Sequence, residues 1–270
     1  MKRIYLLILS VVIMITNTFS QSAKPVFVLI HGAWFGSFAW KKVTPLLEAK
    51  GYRVIVLDLP GYGDDKRPSA TITLADYVNK VADTIKSLKG NVVLVGHSMA
   101  GAIISEVGEL LGPEKIDKLV FLDAFLLKNG ESILAQVGKI NEARGAAANP
   151  AIQSDYLVFS EDGKSCMVPP GRMQDVFCHD CLPEDLALLR THTTWQPVAA
   201  LATPVILTDK RFGSIPKFYI HCTQSRDLDR TSILHNVSCQ KIYTLPSSHS
   251  PFFSMPGKLV EIFDQVMAYQ

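Results

Sequence analysis

Asn91-Val-Val-Leu-Val95-Gly96-His97-Ser98-Met99-Ala100-Gly101 decides how this chain is read. A short apolar run of β character is followed at once by a serine between small residues, then by a helix-compatible stretch. That is the layout of a nucleophile elbow, a strand-to-helix turn that strains the serine backbone and lifts its Oγ above the sheet edge. Gly96 and Ala100 must be small, because strand and helix nearly touch there. The pattern departs from G-x-S-x-G in its last position, where Ala100 precedes Gly101. Ser98 is therefore the candidate nucleophile.

Outward from the elbow, apolar strands alternate with helices. Pro25–Ile30 reads as a buried strand ending at His31-Gly32, and Phe38–Lys50 as a helix, interrupted or started near Pro45 and closed by Gly51. Tyr52–Leu57 is the next strand, followed by the turn-rich Asp58–Gly63. Leu74–Leu88 has helical apolar spacing, and Ala102–Leu111 continues as helix after the elbow. Lys118–Leu122 is another buried strand. From 124 to about 205 the rhythm breaks into Gly, Pro, Asn and short helical pieces, which reads as a cap inserted over the sheet. It resumes with strands Lys217–Cys222 and Gln240–Thr244 and a last helix, Pro256–Ala268. Strands apolar throughout and alternating with helices predict a parallel sheet covered on both faces, in one domain over 24–270.

A serine hydroxyl is a poor nucleophile at neutral pH. It needs a base, and the base needs an orienting group. In sheets that carry such an elbow, the base follows the last strand. His249 sits there, in Ser247-Ser248-His249-Ser250-Pro251. The other histidines have plainer places: His31 ends a strand, His97 is in the elbow, and His179 and His192 are in the cap. His221 is inside a strand, and His235 is in a helix-compatible stretch. Developing negative charge on a tetrahedral intermediate needs two backbone N–H donors. Met99, after the nucleophile, supplies one, and Ala33, after the first strand, the other. Gly32 lets that backbone approach, although a plain strand-ending turn accounts equally for His31-Gly32. Trp34, Met99, Phe125, Leu126 and Trp195 are candidate walls of a substrate pocket, with core or cap packing as the alternative.

These segments carry a family resemblance. Ile30-His-Gly-Ala-Trp-Phe-Gly-Ser-Phe-Ala-Trp40, Asp58-Leu-Pro-Gly61, Gly96–Gly101 and Ser248-His-Ser250 are similar to the plant methylesterase and hydroxynitrile lyase family and its bacterial esterase relatives, over about residues 25–268. His179-Asp-Cys-Leu-Pro-Glu-Asp185 resembles the bacterial branch. The resemblance implies an α/β-hydrolase fold: a mostly parallel central sheet, helices on both faces, and a helical cap after the family's sixth strand. It also implies a Ser-His-Asp triad, small ester substrates, and no metal or other cofactor. The lyases carry threonine, glutamate and lysine where this chain has Gly32, His97 and Ser250. A cyanohydrin lyase needs that lysine's charge to hold departing cyanide. The expected activity is therefore that of a serine carboxylesterase hydrolysing small to medium lipophilic carboxylic esters through an acyl-enzyme. The alternatives are a carbon–carbon lyase of the hydroxynitrile lyase type and a non-catalytic ligand-binding homologue.

One position departs from the family. The usual acid follows the seventh strand; here the segment is Cys222-Thr-Gln-Ser225-Arg-Asp227, with serine in the aspartate's place. Asp227 could reach the base from a shifted loop. Asp123, at the end of Lys118–Leu122, is favoured, because it directly follows an apolar strand at the edge where catalytic groups gather. An uncompensated aspartate there would be costly to bury. The alternative is that Asp123 only caps the next turn.

The rest of the chain bounds the setting. Lys2 and Arg3 precede an apolar run, Ile4–Ile15, and small or polar residues to Ala23, the order of a secretory signal peptide over 1–23. The run is short for a membrane span, so a secreted or periplasmic protein without a stable membrane anchor is expected. The net charge of +2 has no basic block, which gives no reason to expect nucleic acid as a partner. The expected partner is a small-molecule ester, with the oligomeric state, a homodimer included, left open. Five cysteines follow the leader. Cys178-His-Asp-Cys181 has the C-x-x-C spacing of metal or redox sites but no second ligand pair, so a structural bridge from Cys166 to Cys178 or Cys181 is expected instead, with buried free thiols as the alternative.

Overall fold

The computed structural model describes residues 25–144 and 156–269. The leader and its cleavage region, 1–23, lie outside the described residues. The main sheet has six strands: β1 Val26–Ile30, β2 Arg53–Leu57, β3 Val92–His97, β4 Ile116–Leu122, β8 Lys217–Cys222 and β9 Lys241–Leu245. Their order is β2-β1-β3-β4-β8-β9, and every pairing is parallel. The strand counted as sixth in the family pattern, which precedes the cap, is thus the fourth in this sheet.

Burial on both faces explains why the strands read as unbroken apolar runs. Val26, Val28 and Ile30 of β1 pack with Tyr77 and Val81 of α2 (Leu74–Lys86) and Ile104 of α3 (Ala100–Leu111). Phe27 and Leu29 point the other way, onto Val43 and Leu47 of α1 (Val43–Ala49) and Phe263 of α9 (Pro256–Ala268). Each such fully buried side chain contributes about 1.5–3 kcal/mol. The order reverses on either side of β1 and β3, so a crevice opens at their carboxyl ends, where ligands bind in sheets of this kind.

Some boundaries differ from the sequence reading. The expected helix Phe38–Lys50 is a 3-10 turn, Ser37–Trp40, followed by α1. Pro45 is tolerated there because the first helical turn needs no donor at that position. α3 starts at Ala100 rather than Ala102, because the elbow feeds it without a linker. His235 lies exposed in a turn rather than in a helix.

Between β4 and β8 lie α4 (Ile133–Arg144), α5 (Met173–Phe177), α6 (Pro183–His192) and α7 (Val198–Ala202). A small antiparallel sheet accompanies them: β5 Val158–Phe159, β6 Ser165–Met167 and β7 Gln196–Pro197. A short α8 (Pro251–Ser254) precedes α9. Strands of two or three residues leave no readable period, so sequence alone did not show them. Among the described residues no helix is long and apolar enough to cross a membrane.

The expected bridge from Cys166 is not formed. Cys178 and Cys181 are joined to each other, and Cys166, Cys222 and Cys239 are free thiols. A tight turn explains the pairing: the Cys181 N–H bonds the Cys178 carbonyl at 3.2 Å, bringing the two Cα atoms to 5.2 Å. Cys166 is buried within β6, where desolvation pushes its thiol up to about 12.

Candidate active site

The chain leaves β3 at His97 and turns at Ser98 straight into α3. Ser98 has φ 55°, a left-handed conformation that side chains adopt at a cost. The turn is fixed by three bonds. The Ser98 N–H donates to the Leu122 carbonyl at 3.2 Å, and the Ser98 carbonyl accepts from Gly101 N–H at 3.0 Å and Phe125 N–H at 3.1 Å. A Cβ on Gly96 would sit 2.8 Å from the Ala100 carbonyl oxygen, and one on Gly101 only 2.0 Å from the Phe125 carbonyl oxygen. The glycine that follows Ala100 is thus the one this fold needs, against the chain leaving β4.

His249 follows β9 and is fully buried, as is Asp123 after β4, whereas Ser98 is 8% exposed. His249 Nδ1 donates to Asp123 Oδ2 at 2.7 Å. Oδ2 also accepts from Ser225 Oγ at 2.5 Å, and Oδ1 from the Cys222 N–H at 3.1 Å. Arg230 Nη1 lies 3.2 Å from Oδ2, and His221 Nδ1 lies 3.6 Å from Oδ1. Burial alone pushes the Asp123 carboxyl up. The Arg230 charge, the nearby His221 ring and the His249 bond overcome that and hold it well below the usual carboxylate range. Ser225, which stands where the family pattern places its acid, donates to Asp123 instead.

Asp227, the other carboxylate considered, does not reach Nδ1. It is bidentate to the buried Arg230, at 2.9 and 2.6 Å, and its Oδ2 lies 3.7 Å from His249 Nε2. His249 Nε2 has no hydrogen-bond partner among the described residues. Behind it, burial holds His97 well below the ordinary histidine range. The neutral His97 ring donates through Nε2 to the His249 carbonyl at 2.9 Å, pinning the backbone of the base. Phe177 packs 5.5 Å from the His249 ring, and Phe35 and Phe252 flank His97.

The loop after β1 is held from below. His31 is buried, which lowers it to about 4; its Nδ1 donates to the Gly32 carbonyl at 2.8 Å and its Nε2 accepts from Leu59 N–H at 3.1 Å. Trp34, at φ 64°, donates its N–H to Tyr62 Oη at 3.2 Å and its Nε1–H to the Cys166 carbonyl at 3.0 Å. Tyr62 in turn donates to Gln196 Oε1 at 2.5 Å. Among the described residues neither the Ala33 nor the Met99 N–H donates to a partner. A Cβ on Gly32 would sit 2.8 Å from both His97 Nδ1 and Ser98 Cβ.

Of the proposed pocket walls, Trp34 stacks on Phe177 at 5.7 Å, and Phe125 bonds the elbow through its backbone. Trp195 lies apart. It lines a cleft of about 720 Å³ with Phe35, Ser37, Asp58, Arg67 and His192, which none of Ser98, Met99 or His249 borders. Sequence reasoning missed Arg230, Tyr62 and Asp180. Asp180 lies inside the disulfide-closed turn and accepts the Ser248 N–H at 2.9 Å, next to the base. Arg230 could not be singled out, because Arg226-Asp-Leu-Asp-Arg230 looks like a solvated charge cluster.

The comparisons match this fold. The model of the alpha/beta hydrolase family matches residues 27–262. Methylesterase 13 of the chloroplastic series of Arabidopsis thaliana is 33% identical over 264 residues, covering 93% of this chain and 58% of its own. The chain spans 58%, 63% and 56% of the length of methylesterases 13, 11 and 15 of that series. Salicylic acid-binding protein 2 of Nicotiana tabacum is 33% identical over 213 residues, covering 75% of this chain and 80% of its own. Among solved structures, a pyrethroid hydrolase from Sphingobium faniae JZ-2 superposes with a TM-score of 0.80 at 27% identity, covering 90% of this chain and 97% of its own. Polyneuridine aldehyde esterase superposes with a TM-score of 0.79 at 25% identity, covering 90% and 99%.

Proposed function

The chain belongs to the alpha/beta hydrolase family, and from that premise we propose that it is an exported serine carboxylesterase for small to medium lipophilic carboxylic esters. The observation that carries the reading is the 2.7 Å bond from His249 Nδ1 to Asp123, behind a serine held at an elbow with φ 55°. Nδ1 donates to the carboxylate, so Nε2 keeps the lone pair that a base requires. Ser98 Oγ attacks the ester carbonyl carbon as its proton passes to Nε2. The carbonyl oxygen, now an oxyanion, takes the Ala33 and Met99 N–H groups. The intermediate collapses, and the imidazolium protonates the departing alcohol. Water, deprotonated by the same nitrogen, then releases the acid and restores Ser98. Ser98 Oγ and His249 Nε2 are not hydrogen-bonded to each other; contacts of this kind commonly tighten when substrate arrives.

Several observations weigh against the alternatives. A threonine at position 32, as in the lyases, would press on His97 and Ser98. Position 250 is a buried serine rather than a cation. Serine at 225 would favour a non-catalytic homologue, and against that reading Asp123 offers His249 a carboxylate. Relatives named esterase and hydrolase support the reaction class. The leader sequence and the Cys178–Cys181 disulfide support export. The experiment is Ser98→Ala, together with fluorophosphonate labelling of the parent. Hydrolysis of p-nitrophenyl acetate should be abolished in a folded variant, and Ser98 should carry the label. Undiminished turnover, or an inert Ser98, overturns the assignment.

A further inference from the structure

A triad acid works by favouring the imidazolium that forms during catalysis. Here a full positive charge, Arg230, lies 3.2 Å from the same carboxylate oxygen that His249 uses. By itself that guanidinium would cancel most of what Asp123 offers. Arg230 does not stand alone: Asp227 grips it with both oxygens and presents Oδ2 at 3.7 Å from His249 Nε2. Arg230 is wholly buried and Asp227 nearly so, which leaves little water to screen either charge. Asp123, Arg230 and Asp227 together carry one negative charge, as a lone triad aspartate would.

We propose that Arg230 and Asp227 form one positioning unit for the Asp123–His249 couple. Arg230 anchors the relocated acid, and Asp227 returns beside the imidazole the negative charge that Arg230 removes. This rests on His249 being the base of the proposed esterase. Neither residue touches the reacting atoms in this role. The arrangement also gives the buried arginine a role: Asp123 follows β4 at φ 43° and is held by hydrogen bonds from Cys222 N–H and Ser225 and by the Arg230 charge at 3.2 Å. The other titratable or charged groups around His249 come from separate elements. They are His97 from β3, His221 and Cys222 from β8, Tyr219 bonded to the Ala124 carbonyl, and Tyr156 and Asp180 from the cap. Burial keeps His97, Cys222, Tyr219 and Tyr156 uncharged.

The test is a charge-balance cycle read without turnover. The His249 ring titration is followed by NMR on histidine-labelled parent, Asp227→Asn, Arg230→Lys and the double variant Asp227→Asn/Arg230→Met. A charge at this distance moves such a titration by about one to two pH units. Asp227→Asn leaves the guanidinium unbalanced, so the midpoint should fall by that amount. The double variant removes a neutral pair, so its midpoint should return to within about half a unit of the parent. Arg230→Lys keeps the charge and should stay with the parent. In the kcat/KM profile the acid limb should follow the same order. A pair that only braced the fold would lower thermal stability without this reversal. If Asp227→Asn and the double variant titrate together, or Asp227→Asn does not move, the proposal is wrong. Fluorophosphonate labelling of Ser98 separately decides whether the esterase reading fails.

Discussion

Replacing Asp123 by asparagine separates the two carboxylates around His249. Asp123 Oδ2 accepts from His249 Nδ1 and Ser225 Oγ and faces the Arg230 charge at 3.2 Å, while Oδ1 accepts from Cys222 N–H. An asparagine has one acceptor oxygen, so its NH2 must face donors whichever way it is set. On the Oδ2 side it confronts His249 and favours the tautomer with the proton on Nε2, which cannot take one from Ser98. The expected loss in kcat is about 10³- to 10⁴-fold, the scale for losing this carboxylate in a triad, or about 4–5.5 kcal/mol of barrier. Breaking a buried pair from one side costs about 3–5 kcal/mol of stability. Because Arg230 keeps Asp227, about 2–3 kcal/mol is expected here. Asp227→Asn, which leaves the Nδ1 bond in place, should lose only about tenfold in kcat. Initial rates of p-nitrophenyl acetate hydrolysis from pH 6 to 9, with urea unfolding of each variant, measure both quantities. An Asp123→Asn enzyme within tenfold of the parent, or one less impaired than Asp227→Asn, would refute the reasoning.

Three further outcomes follow from neighbouring contacts. Gly32→Thr should cost about 1–3 kcal/mol and most of the activity, because its Cβ meets His97 and Ser98 at 2.8 Å; a thermal melt and the same ester assay decide it. His31, lowered from 6.5 to about 4 by burial, binds a proton more readily unfolded than folded. Its contribution is therefore intact above about pH 6.5 and lost as pH falls towards 4, a change of about 3 kcal/mol. Urea midpoints should track that window in the parent and fall less steeply in His31→Gln, with the buried His97 keeping part of the slope. Removing the disulfide with Cys178→Ser/Cys181→Ser should cost about 2 kcal/mol for so short a loop. It should also lower kcat, since the turn carries the Asp180 contact to Ser248; unchanged kcat would remove Asp180 from the account.

What could be read from sequence follows the physics of each element. β1, β3, β4 and β8 are buried on both faces, so composition alone marked them, and the elbow declared itself through the small residues its close contact demands. Asp123 could be favoured because a carboxylate ending an apolar strand needs a reason to be there. Arg230 gave no such hint: its burial depends on two aspartates that come together only when the ends of β4 and β8 lie side by side. Trp195 shows the converse. An aromatic residue in the cap looks like a pocket wall in sequence, but its place depends on the path of the cap, which no period encodes. The cysteine pairing was missed because a single backbone bond in the turn brings Cys178 and Cys181 within reach, and sequence spacing does not show that bond.

The bond from Ser225 to Asp123 shows why the two strand ends tolerate each other. The ends after β4 and after β8 lie side by side, with Ser225 Oγ and Asp123 Oδ2 2.5 Å apart. A second aspartate at 225 would set two carboxyls against each other, so that one of them would have to keep its proton. Serine puts a donor in that place instead of a competing charge, and the single carboxylate of Asp123 stays free to ionise.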